Sequence, residues 1–342
     1  MKKQFGHNQH GEPATLYLLE NDRFRIAVTD YGATLVSFID KNRDLELVAG
    51  FDDVEHYVQH TAHFGSTIGR VANRIKDAKF DLNGRTYHVC ANKGNNSLHG
   101  GAVGFDKRMF QGRVEDNRIV LTATSPDGEE GYPGNLQVQV TYRLDERGIH
   151  IECEGVSDQT TLFGTTNHSY FNLNGNGSIA GHRVQLFADA YAPNDETGTA
   201  TGDLVLCENT PFDFRNEKEI GADFDSDDEQ IRMTRGYDHH YSIQGSGLRT
   251  MAVCRANGLR LETRSNLPGI HFYTGNFLDG SYVGHRGVAY GYHERVCFEP
   301  EYYPNAINYE THEKPVLKAG EHAVQIIEYW LDDDKEEESS TF

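Results

Sequence analysis

Long apolar runs are missing from this 342-residue sequence. No window holds the roughly 18 consecutive apolar residues that a membrane-spanning helix needs. The start, MKKQFGHNQHGEP, has two lysines but no apolar segment of the kind that a signal peptide carries. We therefore expect neither a membrane span nor a cleaved secretory leader.

Cysteine is also scarce. The five cysteines lie far apart, and no C-x-x-C motif occurs among Cys90, Cys153, Cys207, Cys254 and Cys297. An odd number at such spacings excludes a dense disulfide framework and the common zinc and redox motifs. The sequence predicts reduced, mostly buried thiols in a cytoplasmic protein.

Positive charge is in deficit. The chain has 32 basic and 52 acidic residues, which gives a formal net charge of −20. Such a chain repels the phosphates of nucleic acids and the surface of an anionic membrane, whereas a neutral small molecule is compatible with it. Part of the charge lies in the run DDDKEEE, residues 332–338, which predicts a disordered acidic tail over residues 332–342.

Helical periodicity is absent from every long segment, and period-2 alternation replaces it. RFRIAV places Phe24, Ile26 and Val28 on one face, and LQVQVTYR and GLRLETR repeat the pattern. Asn83-Gly84 separates two strand-like runs, which predicts a hairpin. Further strands are expected at residues 33–39, 118–124, 149–154, 270–277 and 323–330. Strands with one polar face predict an all-β fold, a large antiparallel β-sandwich, and no linker or repeat divides residues 1–342 into more than one domain.

One predicted strand carries unusual polar residues. In TNHSYFNLNG, Thr166 to Gly175, alternation puts His168, Tyr170 and Asn172 on one face and apolar residues on the other. The polar face is either the wall of a functional site or a solvated sheet face.

Five other segments break the alternation with polar or aromatic residues: GRVANRI (69–75), NNSLHGG (95–101), GYDHHY (236–241), HFYTGNF (271–277) and VCFEPEYYPN (296–305). Singly, each is compatible with an ordinary surface. Glu299 ends an apolar strand before Pro300, a position that favours a raised pKa. Together the segments offer hydroxyl-binding side chains, aromatic rings for the apolar face of a sugar, and one acid and one base. They indicate a sugar site.

Metal and phosphate motifs are lacking. His239 and His240 are adjacent and would point to opposite faces of a strand, and HExxH does not occur. The segment LNGNGSIAG has glycines but no GK[ST]. We expect no metal and no cofactor; a metal site would require long-range assembly.

Seven segments, in order, closely resemble the aldose 1-epimerase (galactose mutarotase) family: IGRVANRI, NSLHGG, SPDGEEGYPG, TNHSYFNL, GYDH, FYTGNFL and FEPEYYPNAIN. The resemblance runs from about Leu16 to Trp330. It implies a large antiparallel β-sandwich and an enzyme that interconverts the α and β anomers of free hexoses such as galactose and glucose.

The resemblance also implies roles for individual residues. His168 corresponds to the general acid and Glu299 to the general base. The expected sugar-binding residues are Asn73, Arg74, His99 and Asp238, with Tyr170 lining the pocket and His271 where the family commonly has Gln.

Three positions depart from the family pattern, and they bear on sugar preference. His271 can titrate, which predicts a change of sugar affinity between roughly pH 5.5 and 7.5. Pro300-Glu301 replaces the usual Thr-Gln or Ser-Glu, and Asn305 stands where Asp is usual.

Other functions stay open from sequence. A glycosidase would pair Glu299 with Asp238 or Glu301. A hexose 6-phosphate epimerase would need an added basic cluster, and a non-catalytic sugar sensor would keep the binding residues without needing the acid and base. The expected partner is a monosaccharide, and either a monomer or a homodimer fits the sequence.

Overall fold

The structure, a computed structural model, describes residues 1–335. The first fourteen strands are β1 Lys2–His7, β2 Pro13–Glu20, β3 Phe24–Thr29, β4 Thr34–Asp40, β5 Leu45–Glu46, β6 Thr67–Ile68, β7 Arg74–Ile75, β8 Lys79–Leu82, β9 Arg85–His88, β10 Ser97–Leu98, β11 Gln111–Glu115, β12 Arg118–Ser125, β13 Leu136–Leu144 and β14 Gly148–Ser157.

The remaining strands are β15 Thr161–Leu162, β16 Thr166–Asn167, β17 Tyr170–Phe171, β18 Arg183–Leu186, β19 Ala188–Tyr191, β20 Val205–Leu206, β21 Lys218–Glu219, β22 Asp238–Ile243, β23 Arg249–Ala256, β24 Leu259–Ser265, β25 Gly269–Tyr273, β26 Val296–Glu301, β27 Val316–Leu317 and β28 His322–Asp333. The α-helices of the described chain are α1 Val54–Gln59 and α2 Glu229–Thr234. Neither is long and apolar enough to cross a membrane. Short 3₁₀ turns occur at Lys76–Ala78, Phe105–Lys107, Glu129–Gly131, Ile220–Asp223, His285–Gly287 and Ala306–Asn308.

Three large sheets build the molecule. The first has the strand order β1-β2-β3-β4-β5, the second β11-β12-β13-β14-β28-β24-β23-β18-β21, and the third β17-β26-β25-β22-β19-β20. All neighbours within these sheets are antiparallel. The predicted all-β antiparallel sandwich is confirmed.

The nine-stranded and six-stranded sheets pack face to face. Tyr329 of β28 lies with its ring centroid 4.8 Å from that of Phe171, and its hydroxyl donates to the Phe298 carbonyl at 3.1 Å. The same buried core takes in Phe24, Ile26 and other apolar residues of the first sheet. On this ground we propose that the described chain forms one domain.

Alternation in the six-stranded sheet separates core from cavity. Phe272 and Phe298 point into the shared core, whereas His271 and Glu299, their neighbours in sequence, belong to the opposite face. Asp238 and His240 of β22 therefore share a face with His271 of β25 and Glu299 of β26.

Local turn chemistry also follows the sequence. Asn83 and Gly84 have φ of 52° and 74°, as a tight hairpin turn between β8 and β9 requires, and they join strands in direct register. The strand expected over residues 270–277 ends earlier, at Tyr273, because Thr274 turns its backbone N–H to the Tyr237 carbonyl.

The first residues of the acidic C-terminal run are ordered, contrary to the prediction. Asp332 and Asp333 belong to β28, and Asp334 is buried, so the disordered tail predicted from residue 332 is wrong for residues 332–334. Arginines explain the order: Arg147 lies 3.4 Å from Asp332, and Arg43 lies 3.1 Å from Asp333. Residues 336–342 lie outside the described chain.

Buried neutral histidines predict a pH-dependent stability. His182 is fully buried and accepts a hydrogen bond from the Leu173 N–H, and burial lowers its pKa to about 4. Its unfolded pKa is near 6.5, so the unfolded state binds the extra proton between those values, and stability falls as pH falls. The free energy of unfolding of wild type should therefore fall by about 2 kcal/mol more than that of His182→Gln when the pH is lowered from 6.5 to 5. Urea denaturation of both proteins at the two pH values measures this difference. A pH-independent difference would contradict the assignment.

Candidate active site

A cavity of about 220 Å³ opens on the polar face of the six-stranded sheet. Every site residue predicted from sequence lines it. The lining residues are Thr61, Ala62, His63, Asn73, Arg74, Lys93, Leu98, His99, His168, Tyr170, Asp238, His271, Tyr273, Phe277, Leu278, Tyr282 and Glu299. The volume lies below the ~300–1,000 Å³ typical of drug-sized ligands, and so suits a small one.

A larger depression of about 480 Å³ lies on the nine-stranded sheet, among residues such as Gln137, Gln139 and Glu154. It contains no aromatic side chain, and its histidine, His322, is 53 % exposed. Water and salt weaken the electrostatic interactions of such exposed groups, so we place the functional site in the smaller cavity.

Strand register assembles the floor of the cavity and the residues that support it. His240, His271 and Glu299 stand directly opposite one another across β22, β25 and β26. In the next row Tyr273 stands opposite both Asp238 and Cys297, and Cys297 stands opposite Tyr170 of β17. Opposed residues on one face lie within ~4.5–5.5 Å at Cβ, close enough to interact directly.

His168 lies in the gap between β16 and β17 rather than within a continuous strand. The predicted strand over residues 166–175 is broken because β16 pairs with β6, whereas β17 pairs with β26. In the gap, the His168 N–H donates to Ser66 O, and its carbonyl accepts from Gly65 N–H. This exchange of partners brings the imidazole against β26. Asn172, predicted for the same face, instead donates to the carbonyls of Gly177 and Glu294.

His168 and Glu299 form a buried pair. Nε2 of His168 lies 3.5 Å from Oε2 of Glu299, and the residues are 6 % and 3 % exposed. Burial, with Glu301 and Asp238 nearby, raises the pKa of Glu299 well above its ordinary value. Burial, with His63 and His271 nearby, lowers the pKa of His168. The two shifts have opposite directions, and each disfavours the charged form of its own group.

Asn73, Arg74 and His99 form one wall. The Asn73 N–H donates to Nδ1 of His99 at 3.1 Å, and the His99 N–H donates to Asn73 O at 3.0 Å. Both residues have positive φ, 62° and 54°. Nε of Arg74 is buried without a hydrogen-bond partner, and a ligand hydroxyl would satisfy it.

His271 lies between two carboxylates. Its Nε2 is 2.7 Å from Oδ1 of Asp238, and its Nδ1 is 3.3 Å from Oε1 of Glu301. Burial opposes the charged form, but these contacts prevail and raise the pKa of His271 to about 10. This direction runs against the expected titration of His271 between pH 5.5 and 7.5 and favours a charged ring across that range, so the pH dependence of sugar affinity stays a prediction.

Tyr170 packs against the buried His168–Glu299 pair. Its ring stacks on His168 with centroids 5.0 Å apart and planes 17° apart, and the rings of Phe64 and Tyr273 meet its edge or face. Tyr170 thus fixes the plane of the His168 ring as well as lining the cavity.

Sequence reasoning missed several lining residues. His63 approaches His99 and His168, with ring centroids 4.9 and 5.8 Å away, and its Nδ1 is 3.0 Å from Asp106 Oδ2. No pattern marks it, because it lies in a connection after α1. Tyr273 and Phe277 fell within HFYTGNF, where their aromatic character was the available signal.

The two arginines of GRVANRI separate into different roles. Arg70 is buried and donates to the carbonyls of Ser125, Pro126, Pro133 and Gly134, so it organises loops, whereas Arg74 lines the cavity.

Within residues 1–335, one group of three side chains could in principle hold a metal ion: His168, Cys297 and Glu299, with ligand atoms within 4.8 Å of one another. Burial raises the pKa of the Cys297 thiol well above its ordinary value, and a protonated thiol is a poor ligand. The donor chemistry therefore suits proton transfer better than metal binding.

Comparison with known proteins agrees with the geometry. The profile of the family described as aldose 1-epimerase matches residues 15–330. Galactose mutarotase of Bos taurus is 40 % identical over 314 residues, 89 % of this chain and 90 % of that protein. Aldose 1-epimerase of Escherichia coli is 37 % identical over 333 residues, 93 % and 95 % of the two chains. The crystal structure of galactose 1-epimerase from Lactobacillus acidophilus aligns with a TM-score of 0.88 at 28 % identity, covering 97 % and 98 %.

Proposed function

Since the chain belongs to the aldose 1-epimerase family and is an isomerase, we propose that it interconverts the α and β anomers of free hexoses such as galactose and glucose, with Glu299 as general base and His168 as general acid. One observation carries the proposal: the buried imidazole and carboxyl group lie 3.5 Å apart in the wall of a small cavity. In a pyranose the C1 hydroxyl and the ring oxygen are bonded to the same carbon, so an acid and a base that serve both must be close neighbours.

The reaction needs two proton transfers. Glu299 removes the proton of the C1 hydroxyl while His168 donates a proton to the ring oxygen, and the bond between C1 and the ring oxygen breaks to give the open-chain aldehyde. Rotation about the C1–C2 bond presents the other face of the carbonyl. The ring oxygen then attacks C1, the carbonyl oxygen takes back the proton from Glu299, and His168 recovers its own.

Burial assists ring opening. The reactive pair is carboxylate and imidazolium; after ring opening it is carboxylic acid and neutral imidazole. The directions of the pKa shifts favour that neutral pair. The raised pKa makes the Glu299 carboxylate a stronger base, and the lowered pKa makes the His168 imidazolium a stronger acid. These are the properties that speed proton transfer.

The other cavity residues suit a neutral, hydroxylated ligand. Asn73, Arg74, His99 and Asp238 present donors and acceptors, and Tyr273, Tyr282 and Phe277 present apolar rings. We assign the first group to the sugar hydroxyls. A glycosidase pair of Glu299 with Glu301 is disfavoured, because Glu301 is not among the residues that line the cavity and its Oε1 contacts His240 and His271.

The purified protein should speed the optical-rotation change of freshly dissolved α-D-galactose or α-D-glucose with no added metal or nucleotide, since acid–base chemistry needs neither. A polarimeter trace with and without EDTA is the measurement. A non-catalytic sugar sensor would leave the spontaneous rate unchanged. Activity lost in EDTA and restored by a metal ion would contradict the cofactor-free mechanism.

The cysteines support a further part of the proposal. All five are free thiols, and all but Cys90 are buried. Free thiols are typical of a reducing compartment, and we propose that the enzyme works in the cytoplasm on its monosaccharide substrate.

A further inference from the structure

We propose that Asp238, Glu301 and His240 hold His271 as a fixed positive charge in the wall of the sugar cavity, and that His271 serves the His168–Glu299 pair through this charge rather than through a hydrogen bond to the sugar. The inference rests on the proposed function and assigns positioning roles to Glu301 and His240, which are not among the residues that line the cavity.

Both ring nitrogens of His271 are occupied by protein carboxylates. Nε2 faces Asp238 Oδ1 at 2.7 Å, and Nδ1 lies 3.3 Å from Glu301 Oε1 and 3.2 Å from the amide nitrogen of Asn73. With Nδ1 protonated, the Asn73 amide donates instead to Glu301 Oε1, which is 3.5 Å away. A ring protonated on both nitrogens is the form that donates to two carboxylates at once. No ring nitrogen remains for a sugar hydroxyl unless one of these contacts breaks.

His240 fixes Glu301 in turn. Its Nδ1 lies 3.2 Å from the same Oε1, and both residues are 2 % exposed. Burial keeps His240 neutral by lowering its pKa, so it donates one proton to Glu301 and adds no charge. Glu301 keeps its negative charge because its hydrogen bonds to His240 and His271 lower its pKa against the effect of burial.

Gly269 makes this arrangement possible. It stands opposite Glu301 in the register of β25 and β26, and a Cβ there would lie only 2.3 Å from Cε1 of His240. Without a side chain at this position, the His240 ring lies over the strand and reaches the Glu301 carboxylate.

The titratable groups that face His271 and Glu299 come from every neighbouring element. Asp238 and His240 lie on β22, Tyr273 on β25, Cys297 and Glu301 on β26, Tyr170 on β17 and Tyr329 on β28. His168, His99, Arg74 and His63 belong to the segments around the cavity, and His63 lies with its ring centroid 5.8 Å from that of His168. Apart from the His168–Glu299 pair itself, the charged members on the sheet are Asp238, His271 and Glu301.

The positive charge of His271 lowers the pKa of both members of the His168–Glu299 pair. His271 and Glu299 are directly opposed across β25 and β26, which puts their Cβ atoms ~4.5–5.5 Å apart. The charge stabilises the Glu299 carboxylate and disfavours the His168 imidazolium, so the pKa of each is lower than it would be beside a neutral residue. Without the positive charge of His271, nothing would offset the two buried carboxylates of Asp238 and Glu301, and both would oppose ionisation of Glu299.

The test is the pH profile of kcat. Turnover requires one proton on the His168–Glu299 pair, so it falls at low pH when the pair gains a second proton and at high pH when it loses the first. His271→Gln should move both limbs to higher pH, by about one to two pH units for a charge at this distance in a buried site. His271→Gln/Glu301→Gln should move them back toward the wild-type positions, because one of the two uncompensated carboxylates is gone.

His182→Gln is the matched control. It also replaces a buried histidine, but a neutral one outside the cavity, so both limbs should stay in place. Superimposable profiles for wild type and His271→Gln would overturn the proposal. So would a double variant whose limbs stay where those of His271→Gln lie. If His271→Gln does not fold, the double variant, which buries one carboxylate fewer, is compared with wild type for the position of its limbs.

The charge itself has a readout that is independent of turnover. Nitrogen NMR of labelled histidines should show the two His271 ring nitrogens both protonated at pH 8, with the assignment made from the signal lost in His271→Gln. A neutral His271 at pH 8 would overturn the inference while leaving the proposed epimerase function standing. A wild-type protein inactive in polarimetry but with a charged His271 would contradict the function alone.

Discussion

Glu299→Gln is expected to lower kcat by about 10²–10⁴-fold and to leave the fold intact. A carboxamide has nearly the shape of the protonated carboxyl group that burial favours at this position, so packing against His168 is kept. It cannot take the proton of the C1 hydroxyl, so the base-assisted step is lost. The measurement is initial mutarotation rate against sugar concentration, with circular dichroism to confirm folding.

Glu46→Gln provides the control for Glu299→Gln. Burial raises the pKa of Glu46 too, and its Oε1 accepts a hydrogen bond from the Phe38 N–H at 2.8 Å, but it does not line the sugar cavity. Its kcat should stay within a factor of about two of wild type, since substitutions away from a site rarely alter chemistry. Near wild-type turnover in Glu299→Gln would remove Glu299 from the role of base.

His168→Asn should lower kcat by a similar factor, about 10²–10⁴, and change KM less. Asparagine can still donate a hydrogen bond to the ring oxygen, so much of the binding interaction survives. It cannot release a proton at neutral pH, so the departing ring oxygen carries its negative charge unprotonated. Steady-state kinetics by polarimetry separates the two parameters.

His182→Asn controls for the loss of a buried imidazole outside the cavity, and it should keep wild-type turnover. If His168→Asn raises KM and leaves kcat unchanged, His168 acts in binding rather than in acid catalysis. The rate of the double variant Glu299→Gln/His168→Asn is informative as well, because residues that act as one unit give losses that do not add.

Local patterns in the sequence were sufficient for the strands. Alternation in LQVQVTYR places Leu136, Val138 and Val140 inward, and β13 has that burial. The Asn83-Gly84 turn was also readable, because its positive φ angles are a local property. These features depend on residues within a few positions of each other, which is why a single sequence carries them.

The arrangement of the site depends on distant partners, and local patterns do not carry it. His168 leaves the strand path because β16 pairs with β6 and β17 with β26, and those partners are separated from it by about a hundred residues or more. The charge of His271 follows from Asp238 and Glu301 converging on one ring from two strands. From sequence, His271 was a titratable substitute for Gln; the two flanking carboxylates favour its charged form.

The position of β28 has a consequence for how the chain matures. This strand lies between β14 and β24 and joins the two halves of the nine-stranded sheet, although β14 precedes it by about 165 residues. While the chain is still being synthesised, β14 and β24 each expose an unpaired edge until His322 to Asp333 leaves the ribosome. Unpaired edges invite association with other chains, and contacts this distant in sequence form slowly. Shielding of nascent chains by a chaperone would therefore matter most in the interval before this strand emerges.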